Sequence, residues 1–271
     1  KSHITKSHNA YFFFAFQKIL VINHLYIFNI MHAVILTRSA EDIEKDRKLF
    51  EREGFSVVEL PLIRTVPIDF EPIDENFDFV IFQSAKAVKY FFERAKLKGN
   101  EKIIVVGEAV KKAVESYGYS VYQIPEKYYA HEIKLLMEKE KRGTVLLPRS
   151  KEGREELIEW LSNMGFTVYP LNVYTTEYVL YDREDFLKRL SMGEFVFFAS
   201  PSAIKGFFAN LPKPEGTKVL EEKKIVCIGK TTKDELVSLS GLSCFIPEKQ
   251  SVESVVSLIK SLASNLHKET T

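Results

Sequence analysis

The sequence predicts an α/β protein of two small lobes, each a doubly wound parallel sheet. Three observations lead there. Short apolar runs alternate with amphipathic helical stretches, an order that implies parallel strands joined through helices. The chain echoes itself at a constant offset of 111 residues, which relates Arg38 to Arg149 and Gly54 to Gly165. One set of repeated units supplies roughly five strands, so a chain of 271 residues has room for two such sheets.

The first thirty residues stand apart. KSHITKSHNAYFFFAFQKILVINHLYIFNI has its apolar part interrupted by Gln17, Lys18, Asn23 and His24, so it makes a poor membrane span. It has no small-residue cleavage site and makes a poor signal peptide. Met31 opens MHAVILTR, which reads as a natural first strand. Residues 1–30 are therefore expected to be a non-native or disordered extension, with a membrane-surface anchor as the rival reading.

From Met31 the units run A, B, A, B. Unit A is HAVILTRSAEDIEKDRKLFEREGFSVVEL: strand VILT, a helix closed by Gly54 as a C′ residue, then strand FSVVEL. Its second copy is GTVLLPRSKEGREELIEWLSNMGFTVYPL, residues 143–171. Unit B begins with strand FVIFQS and the helix AKAVKYFFERA, whose aromatics fall at helical spacing. It goes on with IIVVG, the helix VKKAVESYG and a predicted strand YSVYQIP. Its second copy contains FVFFASPSAIKGFFANL and then KIVCIGKTTKDELVSLSGLSCFIP, where the apolar run stops at Gly229 and a helix begins. ELPLIRTVPIDFEPID and YPLNVYTTEYVL read as extended connectors that run side by side between lobes. In that case the first A shares a lobe with the second B, giving lobes of 31–66 plus 177–265 and of 70–173. The residues leave sequential halves open as the alternative.

Composition narrows the function. With 38 basic and 37 acidic residues the net charge is +1, which argues against a dedicated nucleic-acid binder. Cys227 and Cys244 lie in apolar runs and read as reduced thiols, and the six histidines lack metal-ligand spacing. With no membrane span and no export signal, the expected location is cytoplasmic. There is no G-x-G-x-x-G, no complete P-loop, no G-x-S-x-G and no H-E-x-x-H.

Ligands of open parallel sheets bind beyond the carboxyl ends of the strands. The residues there are Thr37, Arg38, Ser39; Pro148, Arg149, Ser150; Gln83, Ser84; Ser200, Pro201, Ser202; Gly107, Glu108; and Gly229, Lys230, Thr231, Thr232. Glycines and hydroxyls at helix starts expose N–H groups, and the helix dipole favours an anion. Arg38, Arg149, Arg154 and Lys224 add positive charge. Each residue taken singly is also an ordinary helix cap. If both lobes turn these ends to one cleft, it becomes a long polyanion site made mainly of neutral donors.

These stretches together resemble the uroporphyrinogen-III synthase family. The matching pieces are ILTR, FQSAKAV, VVGEAVKKAVESYG, LLPRSKEGREELIEWLSNMGFTV, VYTT, FFASPSAIKGFF, and CIGKTT followed by PEKQSVESVVSLI, from Met31 to about Leu262. The resemblance implies two flavodoxin-like lobes joined by a two-stranded connector, and a monomer with mobile lobes. It implies the substrate hydroxymethylbilane, a linear tetrapyrrole with eight carboxylates. The enzyme expels water, inverts the last ring through a spiro intermediate and closes the macrocycle, with no cofactor and no metal. Transient contact with hydroxymethylbilane synthase, the deaminase that makes the substrate, is a further implication. By the same resemblance Tyr174 is the proton donor to the leaving hydroxyl. Thr232, Lys224, Ser200 and Ser202 match family positions that bind substrate, and Ser84, Gly107, Gly229, Arg38 and Arg149 join them as candidates from their places at strand ends. Val110 occupies the first-copy position of Thr232, a departure from the family pattern.

A two-lobed α/β small-molecule binding or sensor protein is the alternative, and a nucleotide-sugar glycosyltransferase a third. The first wants an export signal or an output domain, and the second a diphosphate motif.

Overall fold

The computed structural model describes residues 32–71, 73–125 and 130–269; the extension of residues 1–30 lies outside them. The strands are β1 (Ala33–Leu36), β2 (Ser56–Glu59), β3 (Ile63–Pro67), β4 (Phe79–Phe82), β5 (Lys102–Val105), β6 (Thr144–Ser150), β7 (Thr167–Tyr178), β8 (Phe195–Phe198) and β9 (Lys224–Cys227). Between them come helices α1 (Ala40–Arg52), α2 (Ala85–Phe92), α3 (Glu108–Ser116), α4 (Ala130–Met137) and α5 (Glu156–Asn163). The later helices are α6 (Arg183–Ser191), α7 (Pro201–Asn210), α8 (Glu215–Glu221), α9 (Lys230–Ser240) and α10 (Val252–Glu269). None of the described helices is long and apolar enough to cross a membrane.

The chain divides into two compact units, at Leu62/Ile63 and again at Tyr178/Val179. The two crossing points are neighbours, because Ile63 pairs with Tyr178 in an antiparallel β3–β7 ladder.

In the first unit the strand order is β2-β1-β8-β9, with every pair parallel. The first copy of unit A thus shares a sheet with the second copy of unit B. Alternation sends Ile35, Val196, Phe198 and Ile225 to one face, where Phe186, Phe207 and Leu236 of α6, α7 and α9 cover them. Val34, Leu36, Phe195, Phe197 and Val226 face the other way, under Ile43 and Phe50 of α1 and Val255 and Ile259 of α10. Strands buried on both faces explain why FVFF and, after Lys224, IVC are unbroken apolar runs rather than alternating ones.

The second unit has the order β3-β7-β6-β4-β5 and is parallel except for the β3 edge. Val80, Phe82, Ile103, Val105 and Leu146 pack beneath α2 and α3. Phe79, Ile81, Ile104, Val145 and Leu147 pack against Ile133, Met137, Leu157 and Leu161 of α4 and α5.

Two expectations are corrected. YSVYQIP and the matching LSCFIP are not strands: each makes one bridge, Ile104 to Gln123 and Val226 to Phe245. In both, a proline two residues on, Pro125 or Pro247, removes the next ladder donor. The second connector is not separate from its preceding strand, since β7 runs through both without a break. Where β7 carries Asn172, the first copy carries Pro61, and there β2 ends before β3 begins. Pro170 is tolerated inside β7 because Thr167 N bonds Gly143 O on the β6 side, so the alternate Pro170 faces away from β6.

Both cysteines are unbridged. A hydrogen bond with Cys244 and burial push the Cys227 thiol far up, so it behaves as core rather than as a nucleophile.

Candidate functional site

In a doubly wound sheet, ligands sit at the carboxyl edge where successive helices leave for opposite faces. In the second unit that point lies between β6 and β4: α5 follows β6 onto one face and α2 follows β4 onto the other. Ser84 closes β4 and caps α2, its hydroxyl accepting from Ala87 N at 3.1 Å. Tyr174 reaches the same place from β7, where it is in register with Ser150 at the end of β6. Its hydroxyl lies 3.4 Å from Ser84 Oγ. The sequence places Ser84 and Tyr174 ninety residues apart, and the sheet brings them together.

Two further groups hold this corner, and the sequence does not single them out. The Tyr90 ring lies 5.4 Å from that of Tyr174, tilted by 30°. Its hydroxyl donates to Thr65 O at 3.1 Å and lies 2.9 Å from Thr65 Oγ1. The only trace in the sequence is an aromatic at helical spacing in AKAVKYFFERA, which reads as core. At the neighbouring strand end, Gly107 starts α3 with φ +93°, in the region that favours glycine.

Across β6, the loop after the strand is pinned by Glu152. Its carboxylate takes hydrogen bonds from Ser150 Oγ at 2.6 Å, Thr176 N at 3.2 Å and Thr175 Oγ1. The carboxyl is held below the usual range: burial works to raise it, and the hydrogen bonds from Ser150, Thr175 and the backbone outweigh that.

In the first unit the switch point lies between β1 and β8, with α1 and α7 on opposite faces. Ser200 caps α7, accepting from Ala203 N at 3.2 Å, and Ser202 sits half-buried in the first turn. Beside it, Thr37 is buried and donates to Phe197 O at 2.7 Å. Arg38 turns back onto α1, bonding Asp46 Oδ2 at 2.7 Å. Ser39 stands at the start of α1, and its hydroxyl donates to Asp42 at 2.7 Å. On the far side of β8, Gly229 begins α9 from an extended backbone, with Lys230 and Thr231 exposed after it. A Cβ on Gly229 would stand 2.9 Å from the Gln250 side chain, so Gln250 forms a wall of this turn.

Thr232 is only 2% exposed, and Val110, the matching residue of α3, is 5% exposed. Each is the third residue after the helix-starting glycine. Val110 belongs to the core cluster beneath α2 and α3, so valine is a packing residue in its copy.

Two expected site residues lie elsewhere. Lys224 opens β9, its N–H bonded to Glu194 O at 3.0 Å, so it stands at the amino edge of the sheet. Gly229 is five residues on, about 15 Å along an extended chain. Arg149 is at the carboxyl end of β6 but is only 6% exposed. Its guanidinium bonds Glu155 at 2.9 Å, and also the carbonyls of Gly153 and Ser150, which turns it inward and engages Nε and Nη2. Among the described residues no three His, Cys, Asp or Glu side chains gather as metal ligands.

The edges so described offer backbone N–H groups at helix starts, serine and threonine hydroxyls, and the phenol of Tyr174. Such sets bind carboxylates and hand a proton to an oxygen.

The family model described as uroporphyrinogen-III synthase HemD matches residues 44–257. A chloroplastic uroporphyrinogen-III synthase of Oryza sativa subsp. japonica is 28% identical over 251 residues, covering 86% of this chain and 81% of that protein. The structure of a uroporphyrinogen-III synthetase from Helicobacter pylori matches with a TM-score of 0.61 and 22% identity, over 86% of this chain and all of that one. A mutant uroporphyrinogen III synthase from the extremely thermophilic bacterium Thermus thermophilus gives a TM-score of 0.58 and 16% identity, over 86% of this chain and 99% of that one. These two likenesses show a shared α/β fold.

Proposed function

The chain belongs to the uroporphyrinogen-III synthase family, and from that premise we propose that it converts hydroxymethylbilane to uroporphyrinogen III. The observation that carries the reading is the family match from residue 44 to residue 257, which runs through both units. The reaction is a cyclising loss of water, which makes the enzyme a hydro-lyase. The finer features belong to the same proposal: the flavodoxin-like character of the lobes, action as a cytoplasmic monomer without cofactor, and passing contact with the deaminase.

The chemistry suits the donors. The substrate carries carboxylates, a group that helix-start amides bind, and each unit offers such amides: at Ser84 and Gly107 in one, at Ser200 and Gly229 in the other. Loss of the hydroxyl needs a proton, and the Tyr174 phenol is the group with a proton to give. The C–O bond breaks, water leaves with that proton, and an azafulvene cation remains. Attack on it by the substituted carbon of the last ring, rather than the free one, gives the spiro intermediate. Choosing between those carbons is a matter of holding the chain in one conformation. Backbone donors do that without the reach of long cationic side chains, in keeping with an inward Arg149.

The test is a coupled assay. Hydroxymethylbilane is generated by its deaminase, this protein is added, and the oxidised porphyrin isomers are separated. Predominantly type III product is expected. Type I alone, at the uncatalysed rate and from folded protein, rejects the synthase and favours a two-lobed binding or sensor protein.

A further inference from the structure

We infer that Tyr90 is a positioning residue for the reaction: it fixes the ring of Tyr174, and through it the proton the phenol delivers. The inference rests on the reading of Tyr174 as proton donor. Tyr174 is half-buried near the edge of a sheet, and its hydroxyl contacts Ser84 Oγ at 3.4 Å. That contact is long for an O–H···O bond, whose usual length is about 2.7–2.8 Å, so it cannot by itself hold the ring. Tyr90 supplies what the contact lacks. It is only 7% exposed, and its centroid is 5.4 Å from that of Tyr174, an offset aromatic contact.

Tyr90 is itself fixed at both ends. Its backbone belongs to α2, the helix that Ser84 caps, and its hydroxyl is bonded to both Thr65 Oγ1 and Thr65 O on β3. Val66 and Pro67 of β3 pair with Thr175 and Tyr174 of β7. The two tyrosine rings are thus held between a helix and two paired strands, and a change in one reaches the other. Thr65 is the third member of the set. A simple core aromatic needs no more than one partner on its hydroxyl, and the pair of bonds to β3 locks the ring's orientation against Tyr174.

The test is a cycle of Tyr90 and Tyr174 variants in the coupled assay. Tyr90→Leu keeps the position apolar and removes the aromatic face. Its kcat is expected to fall roughly ten- to a hundredfold, the scale of a misplaced catalytic group, with KM within about twofold. Tyr90→Phe keeps the face and restores most of the rate. In a Tyr174→Phe background, Tyr90→Leu is expected to cost nothing further, because the group it positions is gone. Tyr90→Met fills the volume without a ring and carries the same cycle if Tyr90→Leu does not fold. A Tyr90→Leu enzyme with wild-type kcat overturns the inference. So does a loss that persists undiminished in the Tyr174→Phe background, which marks Tyr90 as structural only. Tyr174→Phe with full turnover overturns the reading of Tyr174 itself, and the role of Tyr90 falls with it.

Discussion

The hydroxyl of Tyr174 stands 3.4 Å from Ser84 Oγ, so a helix cap and a phenol share one neighbourhood at this sheet edge. Ser84 is already committed to Ala87 N, and its remaining capacity points at Tyr174. If Tyr174 delivers the proton, Tyr174→Phe should lower kcat by roughly 10²- to 10⁴-fold, the usual worth of a general acid. KM should hardly move. Unchanged turnover removes Tyr174 from the chemistry.

Ser84→Ala separates the two roles of the serine. Loss of the cap should cost about 1 kcal/mol of stability, read by urea denaturation. Loss of the neighbour to Tyr174 should lower kcat by less than Tyr174→Phe does. A destabilised variant with full kcat would confine Ser84 to capping.

At the Gly229 turn, the backbone rather than the threonine side chain should bind. Thr232 is as buried as Val110, its equivalent, so Thr232→Val should keep KM within about threefold, roughly 0.6 kcal/mol. Gly229→Ala sets a Cβ 2.9 Å from the flexible Gln250 side chain, which must shift to make room. KM should rise about tenfold, or ~1.4 kcal/mol, and Gln250→Ala in the same chain should restore it. A Thr232→Val variant with a KM raised about tenfold would show that the hydroxyl is used.

What the sequence made legible was the alternation of strand and helix and the glycines and serines at strand ends. Those features are local: an apolar run buried on both faces, and a small residue where a helix must start, are written in consecutive residues. Tyr90 was not legible, because Tyr90, Phe91 and Phe92 are three consecutive aromatics, and an apolar helix side reads the same whichever of them carries a special contact. Only the arrival of Thr65, from another strand, separates Tyr90 from its neighbours. Arg149 misled for a related reason. Charge at a strand end suggests an anion, but the carbonyls of Ser150 and Gly153 and the carboxylate of Glu155 meet it only once the loop has folded back.

Lys224 is a case where nearness in sequence is distance in space. KIVC is extended, so Lys224 and Gly229 stand at opposite edges of the sheet. Lys224→Ala should therefore leave KM within about twofold and kcat unchanged. A KM increase of about tenfold or more, without loss of folded protein, would bring Lys224 back to the substrate.

Arg38 is held by Asp46, and the pair makes a pH prediction. Burial raises the Asp46 carboxyl above its ordinary 3.8, while the charge and hydrogen bond of Arg38 pull it down and leave a net rise. With the folded value above the unfolded one, the stabilisation from Asp46 is complete below 3.8 and is lost as pH rises through the folded value. Arg38→Met withdraws the two lowering influences, so the folded value climbs and the loss at neutral pH grows. Breaking a buried pair costs about 3–5 kcal/mol, and partial exposure of Arg38 reduces this to about 2 kcal/mol at pH 7. The deficit relative to the unaltered protein should shrink on moving to about pH 5, because protonation relieves the unpaired carboxylate. Urea denaturation at the two pH values reads it directly. Equal deficits at both would mean that Arg38 acts by packing its stem alone.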